Sequence, residues 1–160
     1  MRKALLAFFL LFSFNSYGAG AKIDIPKYDW SWKGFFGTYD RASAQRGLKV
    51  YREVCAGCHS MNYLAYRNLG DLGFSEDHIK AIAAEHLILD GPDDEGEMFE
   101  RDGIPSDQFA NPYPNVKAAR AANNGAYPPD LSLIVKARPK GADYVKALLL
   151  GYVDPPEDMK

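Results

Sequence analysis

Cysteine and histidine are scarce in this 160-residue sequence, which has two of the former and three of the latter. A structural zinc site takes four ligands, so here it would have to be completed with carboxylates. Basic residues do not exceed acidic ones, with 19 Lys and Arg against 21 Asp and Glu, and nothing in this balance indicates nucleic-acid binding. After residue 21, no apolar run approaches the roughly 20 residues of a membrane-spanning helix. Internal repeats and low-complexity segments are also lacking, which favours one globular domain.

The first 21 residues have the pattern of a secretory signal peptide. Arg2 and Lys3 precede an apolar run from Ala4 to Phe14, and small residues follow up to Ala21. We expect cleavage after Ala21, because the run is shorter than a bilayer span; an uncleaved anchor is the alternative. Residues 22–160 would then form the exported domain, with the formal net charge changed from −2 to −4 by loss of the two basic residues.

Both cysteines belong to one short motif, C-x-x-C-H, formed by Cys55, Cys58 and His59. This spacing is the attachment signature of c-type haem. Residues three and four apart share a helix face, so the three side chains can converge on one flat ligand. The motif predicts one covalent haem c, held as two thioethers, with His59 as the proximal iron ligand.

Other interpretations of the same residues stay open. A thiol oxidoreductase would use free cysteines, although a redox C-x-x-C usually lies in a βαβ setting that the helical flanks do not suggest. Zinc would need carboxylates beside the motif. His78 and His86 are either a second iron ligand or ordinary histidines, and we favour the latter because the motif specifies the proximal histidine only.

Apolar periodicity predicts helices on both sides of the motif. The first runs from Tyr39 to about Cys58, and the second follows a Ser75 cap. The third spans residues 115–124 and ends at the pair Asn124 and Gly125. Asp130 is expected to cap a short apolar segment, Leu131 to Ala137. A last helix after Gly141 places a common face on Val145, Leu148, Leu149 and Tyr152. The predicted fold is mainly α.

Several runs of residues resemble the cytochrome c1 family, the haem subunits of the bc1 complex (quinol:cytochrome c reductase). They are distributed over nearly all of residues 22–160, and the last of them is much longer than a generic haem motif. The runs are Trp30–Gly37, Tyr39–Arg41, Gln45–Gly47, Val50–Tyr51, Val54–Met61, Tyr66–Leu69, Gly91–Met98 and Ala118–Ser132.

The resemblance implies a cytochrome c-like domain around one haem, with an acidic loop insertion. It implies one-electron transfer in the respiratory chain, from the Rieske iron-sulfur protein to soluble cytochrome c, in a membrane complex with cytochrome b. A bacterial chain of this kind would lie on the periplasmic face of the inner membrane. Arg120 would pair with a haem propionate, its alternative being a surface arginine.

Eight acids and one arginine lie between Asp90 and Asp107, a local balance of −7 in a chain of net −2. The resemblance favours docking of a basic cytochrome c on this acidic segment, and a merely solvated loop is the alternative.

In the family, the methionine that is the sixth iron ligand and the membrane helix both follow the segment at which this sequence stops. Met61, Met98 and Met159 do not match the ligand position, so we expect a truncated chain whose iron lacks the methionine ligand. An open distal site would also be compatible with a peroxidase or a gas sensor, which is the alternative function.

Overall fold

The computed structural model describes residues 24–159, and the predicted signal peptide at residues 1–21 lies outside them. The helices are α1 (Arg41–Val50), α2 (Glu76–Ala84), α3 (Val116–Ala122), α4 (Ile134–Ala137) and α5 (Ala142–Leu150). A π-helical turn, Tyr51–Cys55, continues α1, and 3-10 helices span Tyr66–Leu72 and Glu157–Met159. Strands β1 (Leu87–Asp90) and β2 (Phe99–Asp102) form one antiparallel pair. The fold is mainly helical, as predicted.

Helix α1 leads directly into the C-x-x-C-H motif. Asp40 caps it by accepting a hydrogen bond from the Ser43 N–H at 3.2 Å. The helix was predicted to continue to about Cys58, but it widens after Val50 and ends at Cys55, where the Ala56 N–H donates to the Tyr51 carbonyl at 2.8 Å. Single π turns of this kind are frequent at functional sites. The last two motif residues therefore lie in the turn that follows the helix.

The buried core lies between α2 and the 3-10 helix that precedes it. Tyr66 and Leu69 are 2% exposed, and they pack against Ile79, Ile82 and Ala83 of α2 and against Phe109. Burying each large apolar side chain of this kind contributes about 1.5 to 3 kcal/mol. The predicted Ser75 cap is confirmed, since its hydroxyl accepts from the His78 N–H at 3.3 Å. Tyr51 of the π turn packs against this core, which thereby supports the turn.

Most of the acidic segment lies in a β-hairpin, and residues 103–107 follow that hairpin. Leu87 pairs with Asp102 and Asp90 with Phe99, so residues 91–98 form the connection between the strands. Arg101 bonds Asp90 at 2.5 Å and holds both oxygens of Asp107 at 2.7 and 3.0 Å. The guanidinium lowers the pKa of both carboxyls. A loop was predicted for the whole segment; in the structure Asp90 and Phe99–Asp102 are paired in strands, and residues 91–98 and 103–107 are outside them.

The N-terminal aromatic segment packs on itself and on α5. Trp30 stacks on Trp32 at 4.5 Å between ring centroids, and Trp32 stacks on Tyr39 at 5.1 Å. Phe35 and Phe36, which occupy the turn between these rings, are 95% and 90% exposed. The tryptophans therefore pack against neighbouring rings, whereas the two phenylalanines remain exposed.

Helix α5 has an apolar face that the rest of residues 24–159 leaves largely uncovered. Of the four residues predicted to share this face, Val145 is half-buried, and Leu148 and Leu149 are 48% and 60% exposed. Tyr152, the fourth, is 77% exposed and lies beyond the end of α5 at Leu150. Within the described part of the chain, no helix is both long and apolar enough to span a bilayer.

Candidate functional site

The C-x-x-C-H motif forms one tight turn. The N–H groups of Cys58 and His59 both donate to the Cys55 carbonyl, at 3.0 and 2.8 Å. Both thiols are free; that of Cys55 is half-buried and that of Cys58 is exposed. The turn brings together three of the four residues predicted from the sequence.

The ring of His59 is oriented by a residue far along the chain. Its Nδ1 lies 2.7 Å from the carbonyl oxygen of Pro129. Because a carbonyl oxygen can only accept, Nδ1 carries the hydrogen, and in a neutral imidazole Nε2 is then the unprotonated nitrogen. Nε2 of His59 is therefore the ring nitrogen whose lone pair is available to bind a metal ion.

Tyr51 supports the same turn from the π-helical segment. Its hydroxyl donates to the His59 carbonyl at 3.1 Å. Burial, with smaller contributions from the charges of Asp130 and Cys55, raises the pKa of Tyr51 to about 12. The hydroxyl therefore remains a donor at any physiological pH.

A set of hydrogen bonds, here named the Asp130 junction, joins residues 59–63 to residues 129–132. The Asp130 carboxylate accepts from the Ser60 hydroxyl at 2.9 Å and from the backbone N–H groups of Asn62 and Ser132, both at 2.8 Å. Partial burial opposes ionisation, but these donors outweigh it and hold the pKa of Asp130 below its usual value. The junction fastens the segment after the motif to the segment that contains Pro129.

Helix α3 approaches the motif on its other side. Asn123 donates to the Tyr113 hydroxyl at 3.1 Å, and that hydroxyl lies 3.9 Å from Sγ of Cys58. A cavity of about 130 Å³ opens here, and Cys58, Tyr113, Ala119 and Tyr127 are among its lining residues. The Cys58 sulfur therefore faces a small space between the motif and α3.

Arg120, the fourth predicted site residue, lies on α3 and is exposed. Its guanidinium donates to the Gly125 carbonyl at 2.7 Å, across the turn that ends the helix. In this structure the guanidinium thus bonds the turn that follows α3, and its role toward a propionate stays a prediction.

The other two histidines are placed differently from His59. His78 is exposed on α2, whereas His86 is half-buried and its ring stacks on Tyr66 at 6.0 Å. Among residues 24–159, no three His, Cys, Asp or Glu side chains converge as a metal-ligand group.

The residues present fit the predicted cofactor. Two free thiols and a histidine nitrogen lie in one turn, and the second ring nitrogen is held by a carbonyl. Thioether attachment needs the two free thiols. Ligation of the iron by a neutral imidazole needs one ring nitrogen without a hydrogen, which the carbonyl contact of the other nitrogen provides. The site is thus chemically suited to a c-type haem.

Comparison with known proteins agrees with this geometry. The model of the Cytochrome C1 family matches residues 30–160. The chain belongs to the cytochrome c1 family. Cytochrome c1 of Rhodospirillum rubrum is 57% identical over 130 residues, which cover 81% of this chain and 48% of that protein. Cytochrome c1-2 of Solanum tuberosum is 55% identical over 134 residues, 84% of this chain and 52% of that protein.

A third relative carries the name of a complex. The cytochrome b-c1 complex catalytic subunit of Candida albicans is 53% identical over 131 residues, covering 82% of this chain and 46% of that protein. The chain therefore spans about half the length of the curated relatives it matches. Membership of the cytochrome c1 family fits a cytochrome c-like fold, in agreement with the mainly helical structure.

Sequence reasoning missed most of the residues that support the motif. Tyr51, Tyr113 and Pro129 contact motif residues, but each is a common residue type without a motif of its own. The available signals were the runs Val50–Tyr51 and Ala118–Ser132, which carry the cytochrome c1 resemblance and contain Tyr51, Pro129 and Asp130.

Proposed function

We propose that Cys55 and Cys58 bind one haem c covalently and that His59 is its proximal ligand. Each thiol would add across a vinyl group, so that an S–C bond forms and the thiol hydrogen goes to the neighbouring vinyl carbon. When bound, the haem supplies reversible one-electron oxidation and reduction of its iron. The observation that carries the proposal is the His59–Pro129 bond of 2.7 Å, which leaves Nε2 as the ligand atom beside two free thiols.

The function that this site supports best is electron transfer within a quinol:cytochrome c reductase. The Candida albicans relative is named as a subunit of the cytochrome b-c1 complex. By analogy, this chain would assemble with cytochrome b and the Rieske protein, receive electrons from the latter and pass them to soluble cytochrome c. Residues 1–21 would direct export to the periplasmic face of a bacterial inner membrane, where the complex provides the membrane association.

The attachment is tested by expressing the full chain with an export and haem-maturation system and staining a denaturing gel for haem. The wild-type chain should carry one haem that survives denaturation, and Cys55→Ala combined with Cys58→Ala should abolish the stain. His78→Ala is the matched control, because that histidine is exposed on α2, and it should stain fully. A wild-type chain without haem, with both thiols open to alkylation, would refute the proposal.

We also propose that the acidic hairpin is an insertion that attracts a basic electron acceptor. Arg101 neutralises part of the charge of Asp90 and Asp107. Most of the negative electrostatic potential therefore comes from the acids of the connecting turn, residues 91–98. Asp93 accepts from the N–H groups of Glu95 and Glu97 at 3.1 and 2.8 Å and therefore shapes this turn.

The docking test should leave Asp93 intact. Asp94→Lys with Glu95→Lys reverses charge on exposed side chains, and reduction of a basic cytochrome c should slow several-fold at low ionic strength and little at high. Lys117→Glu on α3 is the control for a remote charge change. Equal rates at low salt would exclude docking at the hairpin.

Arg120 is proposed as a propionate partner. To reach that role, its guanidinium must bond a carboxylate in place of, or in addition to, the Gly125 carbonyl. Arg120→Lys keeps the charge but loses the planar pair of donors, so a shift in the haem reduction potential relative to Lys117→Gln would support the pairing.

A further inference from the structure

The Asp130 carboxylate is placed beside both partners of the His59–Pro129 bond. Ser60, which donates to Asp130, directly follows His59, and Asp130 itself directly follows Pro129. The bond from Ser60 to the carboxylate is therefore one residue away from the His59–Pro129 bond in both segments.

Few other bonds hold these two segments together at this point. The Leu131 N–H donates to the Ser60 carbonyl at 2.9 Å, and the Tyr63 N–H donates to the Ser132 hydroxyl at 3.0 Å. The Asp130 carboxylate adds two more bonds between the segments, from the Ser60 hydroxyl and the Asn62 N–H, and Asp130 directly follows the Pro129 carbonyl that His59 contacts.

We infer that Asp130 is a positioning residue, whose carboxylate ties residues 60–62 to residues 130–132 and thereby keeps the Pro129 carbonyl against Nδ1 of His59. This inference rests on the proposed function, because its effect is exerted on His59 as an iron ligand. It assigns Asp130 a role in tuning the ligand in addition to its contribution to folding.

The chemistry requires a carboxylate at this position. One oxygen of Asp130 faces the Asn62 N–H and the other faces the Ser132 N–H. An asparagine amide offers one oxygen and one NH₂ group, so either of its orientations sets NH₂ against a backbone N–H. Asp130→Asn must therefore break one of the two bonds while keeping nearly the same shape.

Loss of the Asn62 bond removes a contact between the two segments, and loss of the Ser132 bond frees the Asp130 side chain within its own segment, so either loss should weaken the bond from Nδ1 to Pro129. That bond makes the imidazole a more basic ligand, which strengthens its bond to iron and favours the ferric state. In the haem-loaded chain, Asp130→Asn should thus move the Fe–His stretching band to lower frequency and raise the reduction potential.

The test is resonance Raman spectroscopy and redox titration of the purified haem-loaded full chain, in wild-type, Asp130→Asn and Asp143→Asn forms. Asp143 is the matched control, because its carboxylate also accepts hydrogen bonds from distant residues, at 2.6 Å from Trp30 and 3.2 Å from the Tyr28 N–H, but it does not contact the motif. We expect both shifts in Asp130→Asn and neither in Asp143→Asn.

Each outcome decides between the alternatives. An unchanged band and potential in Asp130→Asn would overturn the inference and leave the proposed function standing, as would equal shifts in both variants. If Asp130→Asn keeps the far-ultraviolet circular dichroism of the wild type but fails to retain haem, the positioning role is supported by a stronger effect. If it loses that dichroism signal while Asp143→Asn keeps it, the role is purely structural and the inference fails. A wild-type chain that carries no haem would instead refute the proposed function.

Discussion

Two carboxylates join distant parts of this chain by accepting hydrogen bonds, one beside the C-x-x-C-H motif and the other at the N-terminal aromatic segment. Asp130 connects to residues 60 and 62, and Asp143 connects α5 to Tyr28 and Trp30, more than 100 residues away. At Asp130 the donors are two backbone N–H groups and a serine hydroxyl, beside the histidine of the motif. At Asp143 they include an indole N–H, and Lys33 lies 3.7 Å away as an ion pair.

The difference shows how the same interaction can orient a side chain or fasten a segment. Backbone donors fix the course of the chain, so Asp130 determines where the Pro129 carbonyl lies. At Asp143 only the Tyr28 N–H is a backbone donor, whereas the Trp30 indole and the Lys33 ammonium are side-chain groups that can rotate, so Asp143 fixes the aromatic segment at one backbone position. We name the contacts of Asp143 with Tyr28, Trp30 and Lys33 the Asp143 junction.

Acid should have the largest effect, because it acts on both junctions. Hydrogen bonds outweigh burial at Asp130, and the Trp30 indole is the main cause at Asp143, so the pKa of each carboxyl is lowered on folding. A lowered pKa adds stability that is complete above the unfolded value, about 4, and is lost as pH falls through the folded value. Urea midpoints of the full chain should therefore fall steeply below about pH 4.

The variants separate the two contributions to this acid loss. Asp130→Asn and Asp143→Asn should each have a lower midpoint at pH 7 and a shallower fall in acid than the wild type. The acids paired with Arg101 supply a remainder that both variants keep. Parallel curves for all three proteins would contradict the assignment.

Asp130→Ala should lower the free energy of unfolding by about 2 kcal/mol, because it removes hydrogen bonds to a charged group and leaves partly buried donors unpaired. Asp94→Ala, on the exposed hairpin turn, is the control and should change it by less than about 0.5 kcal/mol. Urea unfolding followed by circular dichroism measures both. Equal losses would mean that the junction contributes nothing specific.

Ser60→Ala should cost about 1 kcal/mol, half the effect of removing the carboxylate. Ser60 is 7% exposed and loses one bond, while Asp130 still accepts from Asn62 and Ser132. Ser106→Ala, at an exposed turn position, is the comparison in the same unfolding experiment. A loss larger than that of Asp130→Ala would place the main support of the junction elsewhere.

Lys146→Gln should have the smallest effect, about 0.5 kcal/mol, and should act only on the Asp143 junction. The ammonium group lies 4.2 Å from the ring centroid of Tyr28 and 5.2 Å from that of Trp30. Faster amide exchange at Tyr28, with exchange at Asn62 unchanged, is the expected signature. Faster exchange at both positions would show that the two junctions are coupled.

Local sequence patterns were sufficient for the elements that satisfy themselves locally. The Ser75 cap, the helical segments around the motif and the C-x-x-C-H turn depend on residues within a few positions of each other. Asp130 was expected to cap the segment from Leu131 to Ala137, which was wrong in detail. Leu133 precedes α4 without a side-chain cap, and the carboxylate instead bonds Ser60 and Asn62 as well as Ser132.

The apolar face predicted for α5 could not be assigned a partner from periodicity. A 3.6-residue pattern shows which side chains share a face and not what covers it. In the described residues that face is largely exposed, and the contacts that hold α5 to the N-terminal segment come from Asp143 and Lys146 instead.

The sequence by itself determined that two thiols and an imidazole lie in one turn, because three- and four-residue spacing is a property of the backbone. It also determined the family, through runs of residues spread over most of the chain. Only the tertiary structure decided which nitrogen of His59 is left without a hydrogen and which carboxylate lies beside the bond that orients the ring. Those choices depend on a carbonyl and a side chain about 70 residues away, and such separations leave no trace in local periodicity.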